Sequence, residues 1–420
     1  MNIPFKLTYN TSVQIFGRII TTASAALITY LVASKSVGNY GVYTAILSFI
    51  SLFYVLTDFG FNAIFVREVG SDSEKQKEYF RNLLGLRIVV SILVVFIATA
   101  ILSFTSYSTL VKLGIIIGLF IIIAQSLATT ALAIFQAKIR YDQVLISDTF
   151  GAIANLIFVY LAVVNFSSIL FVIGALVIGN SIRSLVALYL ARFQLGNLEI
   201  SFNKSFWEKI IIPAIPIGLL AVFSQFNAQI DKQIVFLAHY KPSLDLTGQT
   251  AAGIYGLAYK VFEFGVAIPA FIMNVGYPIM VQKRGESLDR LLTFSKRLGI
   301  ALLLIGFFGL IVGWIASPWI FTLPGLEKFS QSVPSLRILL VGLPIFFITP
   351  LSLWLAISLK KEREMMFIYG FSAVFNFVTN LVFVPSFGYN AAAVITIVSE
   401  GLILLLSMGV LYLSVKNKEE

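Results

Sequence analysis

The chain has 420 residues, of which 58% are hydrophobic and only 12% are charged. This composition, with a mean hydropathy of +0.93, lies outside the range of soluble globular proteins and indicates a membrane protein. A single histidine and no cysteine exclude most metal sites and thiol chemistry, and the net charge of +10 does not require nucleic-acid binding.

Long apolar runs recur along the whole chain. A helix needs about 20 residues to cross a hydrocarbon core about 30 Å thick, and twelve runs approach or exceed this length. They lie at residues 10–33, 40–65, 84–104, 109–137, 149–165, 168–191, 208–238, 251–281, 295–317, 333–359, 365–384 and 389–414. The sequence therefore predicts an all-α polytopic membrane protein with about 12 transmembrane helices.

The basic residues of the connections predict the orientation. The first run carries Arg18 and is not followed by a small-residue cleavage site, which is typical of a retained helix and not of a signal peptide. If the N-terminus is cytoplasmic, most connecting Lys and Arg fall on the cytoplasmic side, as the positive-inside rule requires. They include Arg67, Lys75, Lys77, Arg81, Lys138, Arg140, Lys283, Arg284, Arg290, Lys360, Lys361 and Arg363. We therefore expect both termini to be cytoplasmic.

Two pairs of short, similar segments indicate an internal duplication. YGVYTAILSF at 40–49 opens the second run, and AGIYGLAYKV at 252–261 opens the eighth. Likewise NLIFV at 155–159 corresponds to NLVFV at 380–384. The similar segments occur in the same order and are separated by about half the chain length. This arrangement is typical of transporters that consist of two related bundles. We expect domains at 1–200 and 201–420, each a six-helix bundle, related by a pseudo-two-fold axis along the membrane normal.

All prolines except Pro4 lie at or after Pro213, and several fall inside or at the ends of runs seven, eight and ten. Proline removes a backbone donor and kinks a helix. These three helices are therefore expected to be bent or hinged. Static kinking for packing and a role in gating remain equally open.

Four of the cations inside apolar runs lie beside other polar residues, and each costs roughly 2.5 to 3.5 kcal/mol if it faces lipid. They are Arg18, Arg183, Lys232 and Lys260, and helical periodicity places amides beside them. Gln14 shares a stripe with Arg18, and Gln225, Gln229 and Asn227 belong to the polar face that carries Lys232. We interpret this set as the lining of a cationic cavity for an anionic, hydroxyl-rich head group. Interhelical ion pairs without a ligand are the alternative.

Four carboxylates accompany these cations: Asp58, Asp231, Glu263 and Glu400. We predict that Glu263 neutralises Lys260, because the two are spaced i, i+3. Asp231 projects about 100° away from its neighbour Lys232, so we expect Asp231 to reach towards Lys260 instead. Gating or ion coupling is one role for these carboxylates, and helix packing is the other.

Three stretches resemble the polysaccharide and O-antigen flippases of the Wzx type, in the multidrug, oligosaccharidyl-lipid and polysaccharide exporter superfamily. NTSVQIFGRIITTASAALITYLVASKSVGNYGVYTAILSFISLFYVLTDFGFNAIFVREV at 10–69 resembles their first two helices. DKQIVFLAHY at 231–240, followed by AGIYGLAYKVFEFGVAIPAFIMNVGYPIM, resembles helices seven and eight, and NFVTNLVFVPSFGYNAAAVITIVSEGL at 376–402 resembles the last pair. In the turn GYNAAA, Asn390 replaces an expected glycine.

The resemblance implies a V-shaped pair of bundles in the bacterial inner membrane. The implied activity moves an undecaprenyl-pyrophosphate-linked oligosaccharide to the outer leaflet as an antiporter driven by a gradient of H⁺ or Na⁺, without another cofactor. Arg18, Lys232 and Lys260 would meet the pyrophosphate or acidic sugars, and Asp231 and Glu263 would couple or gate. Implied partners are the lipid-linked substrate, membrane lipids, and polysaccharide polymerase and chain-length proteins.

Two other functions remain open at this stage. A cation-coupled exporter of drugs or small solutes would have the same architecture. A membrane polysaccharide polymerase would need catalytic residues on a sizeable outer loop, whereas the two longest outer loops, near 239–250 and 317–332, are short. No Walker loop, metal-ligand cluster or nucleophile motif is present, so we expect a transporter and not an enzyme.

Overall fold

The computed structural model describes residues 3–70, 72–197 and 199–416, with side chains described from residue 13 onward except at residue 15. Within these ranges all regular structure is helical. Fourteen α-helices follow one another in the chain: α1 Ile3–Ala33, α2 Val37–Asp58, α3 Phe61–Val69, α4 Ser73–Ser103, α5 Thr109–Ala137, α6 Tyr141–Asn165, α7 Ile169–Leu195, α8 Lys204–Leu237, α9 Gly248–Glu286, α10 Leu288–Ile320, α11 Ser332–Val341, α12 Leu343–Ser358, α13 Glu362–Phe387 and α14 Tyr389–Lys416.

Polar caps explain where several helices begin. The carboxylate of Asp72 accepts hydrogen bonds from the first amides of α4, and the hydroxyl of Ser168 accepts from the Leu170 amide at the start of α7. The hydroxyl of Ser287 does the same for α10. Each cap satisfies a backbone donor that the helix itself leaves unpaired. The starts of these helices are therefore encoded locally.

The predicted number of spans is confirmed. In the described part of the chain, eleven helical segments are long and apolar enough to cross a membrane, and a bent pair of shorter helices brings the number to twelve. The bent pair is α11 and α12, which meet at 45°. The bend lies where Gly342 and Pro344 interrupt the tenth predicted run, because proline cannot donate a helical hydrogen bond.

The prolines of predicted runs seven and eight do not interrupt their helices. Both α8 and α9 continue as single helices through their internal prolines, Pro213 and Pro216 in α8 and Pro269 and Pro278 in α9. The missing donors therefore weaken these helices locally without ending them.

The chain divides into two compact units, which are described separately. The first comprises Met1–Val32 and Ala45–Val222, and the second comprises Ala33–Thr44 and Phe223–Glu420. Residues 201–222 pack with the first unit because Ser201 donates its amide to the Arg81 carbonyl at 3.0 Å. The indole of Trp207 also donates to the Asn82 carbonyl at 3.0 Å. The pseudo-two-fold symmetry proposed from the similar sequence segments stays a prediction.

In the first unit, a sharp break separates α2 from α3. Phe59 and Gly60 both have positive φ angles, 38° and 74°, a conformation that glycine adopts without strain. A Cβ on Gly60 would lie 3.0 Å from the side chain of Ile217 in α8. The break therefore packs closely against α8, next to a core that includes Phe65, Phe80 and Phe135.

In the second unit, the start of α2 lies against the start of α9. A Cβ on Gly41 would lie 1.9 Å from the Gln249 carbonyl oxygen, and one on Gly253 would lie 2.2 Å from the Val37 carbonyl oxygen. Only glycine permits this backbone approach. The hydroxyl of Ser332 in α11 donates to the Ile254 carbonyl at 2.7 Å. The first half of α9 therefore packs against both α2 and α11.

Candidate functional site

A cluster of charged side chains joins α8 and α9 in the second unit. The ammonium of Lys232 lies 2.9 Å from one carboxylate oxygen of Glu263, and the ammonium of Lys260 lies 2.9 Å from the other. The predicted i, i+3 pairing of Lys260 with Glu263 is confirmed. Because two lysines share one carboxylate, this cluster carries a net positive charge when all three groups are ionised.

Lys232 is held by more than its ion pair. Its ammonium also donates to the Gln229 side-chain oxygen and to the Ala228 carbonyl, both at 3.1 Å. It lies 3.8 Å from the ring centroid of Tyr259, a distance at which the aromatic face attracts a cation. The Lys232 side chain is only 6% exposed. Lys232 is therefore fully coordinated by the protein.

Lys260 has a different environment. Its side chain is 37% exposed, and Glu263 is its only ion-pair partner among the described residues. The ammonium lies 5.7 Å from the ring centroid of Phe264. Lys260 is thus the lysine of this cluster that remains accessible to an incoming anion.

Asp231 does not reach towards Lys260, so this expectation was wrong. Its carboxylate is completely buried and accepts hydrogen bonds from the hydroxyls of Tyr255, at 2.5 Å, and Thr396, at 3.2 Å. The amide of Lys232 donates to the other oxygen at 2.7 Å. Helical periodicity turned Asp231 away from Lys232, as expected, but towards hydroxyls of α9 and α14 that the sequence pattern did not reveal.

A cavity of about 400 Å³ lies inside the second unit, beside this cluster. Its polar lining includes Asn227, Glu263, Thr349, Thr396, Ser399 and Glu400. In the described part of the chain, no Lys or Arg forms an ion pair with Glu400. The side-chain oxygen of Asn227 is buried and accepts no hydrogen bond there either. The cavity therefore offers the free acceptor of Asn227 and the carboxylate of Glu400, which is hydrogen-bonded to Thr349, to a cation or a hydroxylated ligand.

Aromatic side chains form much of the remaining wall of this cavity. Tyr259, Phe262, Phe346 and Tyr369 line it. Aromatic faces bind cations and also pack against apolar ring surfaces. The cavity thus combines an acidic group, an amide and aromatic faces in one space.

In the first unit, the predicted cation Arg183 has a carboxylate partner. Its Nε lies 2.7 Å from Asp148 of α6, with side-chain exposures of 28% and 23%. Gln125 and Asn180 form a hydrogen bond at 3.4 Å, which adds a polar contact between α5 and α7. Arg183 therefore has the geometry of an interhelical ion pair, which is the alternative that the sequence left open.

Asp58 is part of a second ion pair in the first unit. It accepts a hydrogen bond from Arg87 at 2.6 Å, and the same guanidinium nitrogen donates to Asn62 at 2.8 Å. The Arg87 side chain is completely buried, whereas that of Asp58 is 41% exposed. Sequence reasoning missed Arg87 because the predicted span began at residue 84, which placed the arginine at the membrane edge. The helix begins at Ser73, so the charge lies well inside it.

The remaining predicted residues are distributed over the two units. Gln14 and Arg18 are exposed on α1, in the first unit, whereas Gln225, Gln229 and Asn227 are half-buried on α8, in the second. The structure therefore brings Lys232, Lys260, Glu263 and Gln229 together and places Asn227 and Glu400 in the neighbouring cavity. A single cavity shared with Arg18 and Arg183 stays a prediction.

Comparison with known proteins identifies the family. The sequence profile of a family described as polysaccharide biosynthesis protein matches residues 6–283, which is more than half of the chain. The chain belongs to this family. No curated protein matches the sequence.

Solved structures show that this polysaccharide biosynthesis family member has the fold of the MOP superfamily. The lipid II flippase MurJ in an inward closed conformation aligns with a TM-score of 0.74 and 14% identity, covering 96% of this chain and 87% of that chain. A multidrug resistance MATE transporter in an inward-facing conformation gives a TM-score of 0.70 at 13% identity, with 96% of each chain covered. A MOP superfamily transporter from Pyrococcus furiosus gives 0.65 at 12% identity, covering 96% and 93%.

The family member has no evident metal centre in the part that the structure describes, since no group of three or more His, Cys, Asp or Glu side chains is placed to hold an ion. Its carboxylates Asp231, Glu263 and Glu400 are instead distributed over α8, α9 and α14, among hydroxyls and amides. The chemistry this arrangement supports is the binding of charged and hydroxylated ligands.

Proposed function

We propose that this membrane protein is a flippase that moves an oligosaccharide linked to undecaprenyl pyrophosphate from the cytoplasmic to the outer leaflet by alternating access. The observation that carries the proposal is the pair of lysines on α8 and α9 that share Glu263. Charged side chains inside spanning helices are costly and usually mark the path of a substrate or an ion. An anionic pyrophosphate or an acidic sugar has the required chemistry.

The individual side chains would have different roles in binding the substrate. Lys260, the exposed lysine, and Arg18, exposed on α1, would meet the anionic group. Gln14, Gln225, Asn227 and Gln229 would bind sugar hydroxyls through their amides. Lys232 would orient Glu263, because its ammonium is already coordinated by the protein. Arg183 would act through its pair with Asp148.

Ion coupling belongs to the same proposal. Alternating access needs a group whose occupancy differs between the two conformations. Asp231, enclosed by the hydroxyls of Tyr255 and Thr396, and Glu400, without a basic partner in the described residues, are carboxylates that could exchange H⁺ or Na⁺. Glu263 and Asp58 would gate through their ion pairs with Lys232 and Arg87.

The proposed setting is the bacterial cytoplasmic membrane, with both termini cytoplasmic, as the distribution of basic residues indicates. There the protein would act without chemical turnover and would deliver its lipid-linked unit to polysaccharide polymerase and chain-length proteins. O-antigen synthesis is one such pathway.

A leaflet-resolved assay of the lipid-linked oligosaccharide tests the proposal. Cells that lack the protein should accumulate the lipid-linked unit on the cytoplasmic leaflet, and the wild-type gene should restore its transfer. Accumulation of single units already on the outer leaflet would instead indicate a polymerase. An unchanged distribution between leaflets contradicts the flippase proposal.

A cation-coupled exporter of small solutes is the second candidate, and the cavity beside Glu400 favours it. A carboxylate that has no basic partner among the described residues, surrounded by aromatic faces, suits an organic cation. This function predicts efflux of a cationic dye from cells or vesicles, with no change in the lipid-linked oligosaccharide when the gene is deleted. The two measurements together separate the candidates.

A further inference from the structure

Arg337 lies in a spanning helix of the second unit, away from the cavity and the lysine cluster. Arg337, on α11, donates a hydrogen bond from Nε to the hydroxyl of Ser317 on α10 at 3.1 Å. Ser317 is completely buried and donates in turn to the Trp314 carbonyl at 2.9 Å. The guanidinium also lies 5.1 Å from the Trp314 ring centroid. Two contacts therefore orient the Arg337 guanidinium, and the second hydrogen bond of Ser317 holds that hydroxyl in place.

Most of the donors of this guanidinium remain unused. Arginine has five N–H groups, of which Nε carries one. Among the described residues, no carboxylate pairs with Arg337, and its terminal nitrogens donate to no protein atom. These nitrogens are also accessible at the protein surface. The two terminal NH₂ groups, with four N–H donors, are thus available to the surroundings of the protein.

The surroundings of Arg337 are apolar and exposed. Val341, one turn further along α11, is 54% exposed, and Trp314 and Trp319 on α10 are 41% and 69% exposed. Large apolar side chains with this exposure, on helices that span a membrane, face lipid. Tryptophan is enriched at the level of the head groups. This surface of α10 and α11 therefore faces the lipid near one edge of the bilayer.

The depth of Arg337 agrees with that level. It lies five positions after the start of α11 at Ser332, so a rise of 1.5 Å per residue places it about 7.5 Å inside the helix end. If each span crosses the membrane once, the start of α11 lies on the face opposite the C-terminus. Arginine side chains at this depth extend towards the interface, where lipid phosphates are the abundant anions.

We propose that Arg337, oriented by Ser317 and Trp314, binds the phosphate group of a phospholipid in the leaflet opposite the termini. The planar fork of a guanidinium matches two phosphate oxygens, and the terminal nitrogens of Arg337 are the donors that remain available for it. The bound lipid fills the lipid-facing side of the contact between α10 and α11. This site is distinct from the proposed oligosaccharide site and does not depend on it.

Native mass spectrometry of the full-length protein tests the proposal with phosphatidylglycerol as the probe. The comparison lipid is a neutral glycosyl diacylglycerol with the same acyl chains, which lacks the phosphate. We expect wild-type protein to retain phosphatidylglycerol preferentially. Arg337→Gln should weaken its binding roughly tenfold, because charge-assisted hydrogen bonds are lost. Arg337→Lys should bind with intermediate affinity, since it keeps the charge but loses the fork.

Two matched variants and one competitor complete the experiment. Ser317→Ala should weaken phosphatidylglycerol binding several-fold by releasing the guanidinium, whereas Arg297→Gln, which removes an exposed arginine of the same helix α10, should change it less than twofold. Inorganic phosphate should not displace the lipid. Equal retention of the two lipids, equal losses in Arg337→Gln and Arg297→Gln, or displacement by inorganic phosphate each overturns the proposal. Arg337→Lys provides the comparison if Arg337→Gln does not fold.

Discussion

Lys232 and Glu263 form an ion pair at 2.9 Å although the lysine side chain is only 6% exposed. The pair joins α8 to α9, and a second lysine, Lys260, uses the remaining carboxylate oxygen. The two lysines therefore depend on Glu263 to different degrees, since one is buried and the other is accessible.

Glu263→Gln tests the buried half of this arrangement. Removing one partner of a buried pair leaves an uncompensated charge and typically costs about 3–5 kcal/mol, so we expect a lower midpoint of thermal unfolding in detergent. Lys260→Gln is the matched control, because a lysine at this exposure contributes about 0–1 kcal/mol. Lys232→Met in the Glu263→Gln background should recover part of the loss. Equal destabilisation by Glu263→Gln and Lys260→Gln would show that burial does not distinguish the lysines.

The proposed substrate contacts predict a loss of export without a loss of folding. Arg18→Ala and Lys260→Ala remove exposed cations, and each should reduce surface polysaccharide by at least tenfold if its contact with the anionic group is a charge-assisted hydrogen bond. Lys232→Ala should also block export, but through the position of Glu263. Surface polysaccharide and the amount of inserted protein are measured together. Normal polysaccharide from all three variants would reject the site.

Asp231→Asn should separate ion coupling from stability. The substitution keeps the shape of the side chain and removes a completely buried charge, so we expect normal insertion and unchanged or higher thermal stability. Transfer of the lipid-linked unit in vesicles should lose its response to an imposed H⁺ or Na⁺ gradient. Thr396→Ser retains the hydroxyl that donates to Asp231 and should keep that response. A full gradient response in Asp231→Asn would exclude Asp231 from coupling.

The pair of Arg87 and Asp58 predicts a large structural effect in the first unit. Arg87 is completely buried, and Asp58→Ala removes its carboxylate partner at the break between α2 and α3. We expect destabilisation of about 3–5 kcal/mol, measured as thermal unfolding and as the fraction of protein that inserts. Arg81→Ala, which breaks the exposed contact with Glu199, should change stability by about 1 kcal/mol or less.

Hydropathy predicted the number of spans because the requirement for about 20 apolar residues per helix leaves few alternatives. The partner of Lys260 was also predictable, since residues at i and i+3 share a helix face. Partners from distant helices were not. Tyr255 and Thr396 reach Asp231 from α9 and α14, and their spacing in the sequence contains no information about that contact.

Two further residues show why charge alone was insufficient. Arg87 belongs to a helix that begins at Ser73, before the apolar run, so a window based on hydropathy placed this arginine at the membrane edge. Arg337 is a single cation at the start of a short helix that ends at a bend. Its contact with Ser317 joins two separate helices and depends on their packing.

The close approach of α2 to α9 limits how the gene could be divided. Residues 33–44 occur early in the sequence but fold with Phe223–Glu420, where Gly41 lies against the Gln249 carbonyl. A fragment that begins at residue 201 would lack this segment and would leave the corresponding surface of α9 uncovered. The two halves of the sequence are therefore not independent folding units. A split gene should give a functional protein only when both fragments are produced together.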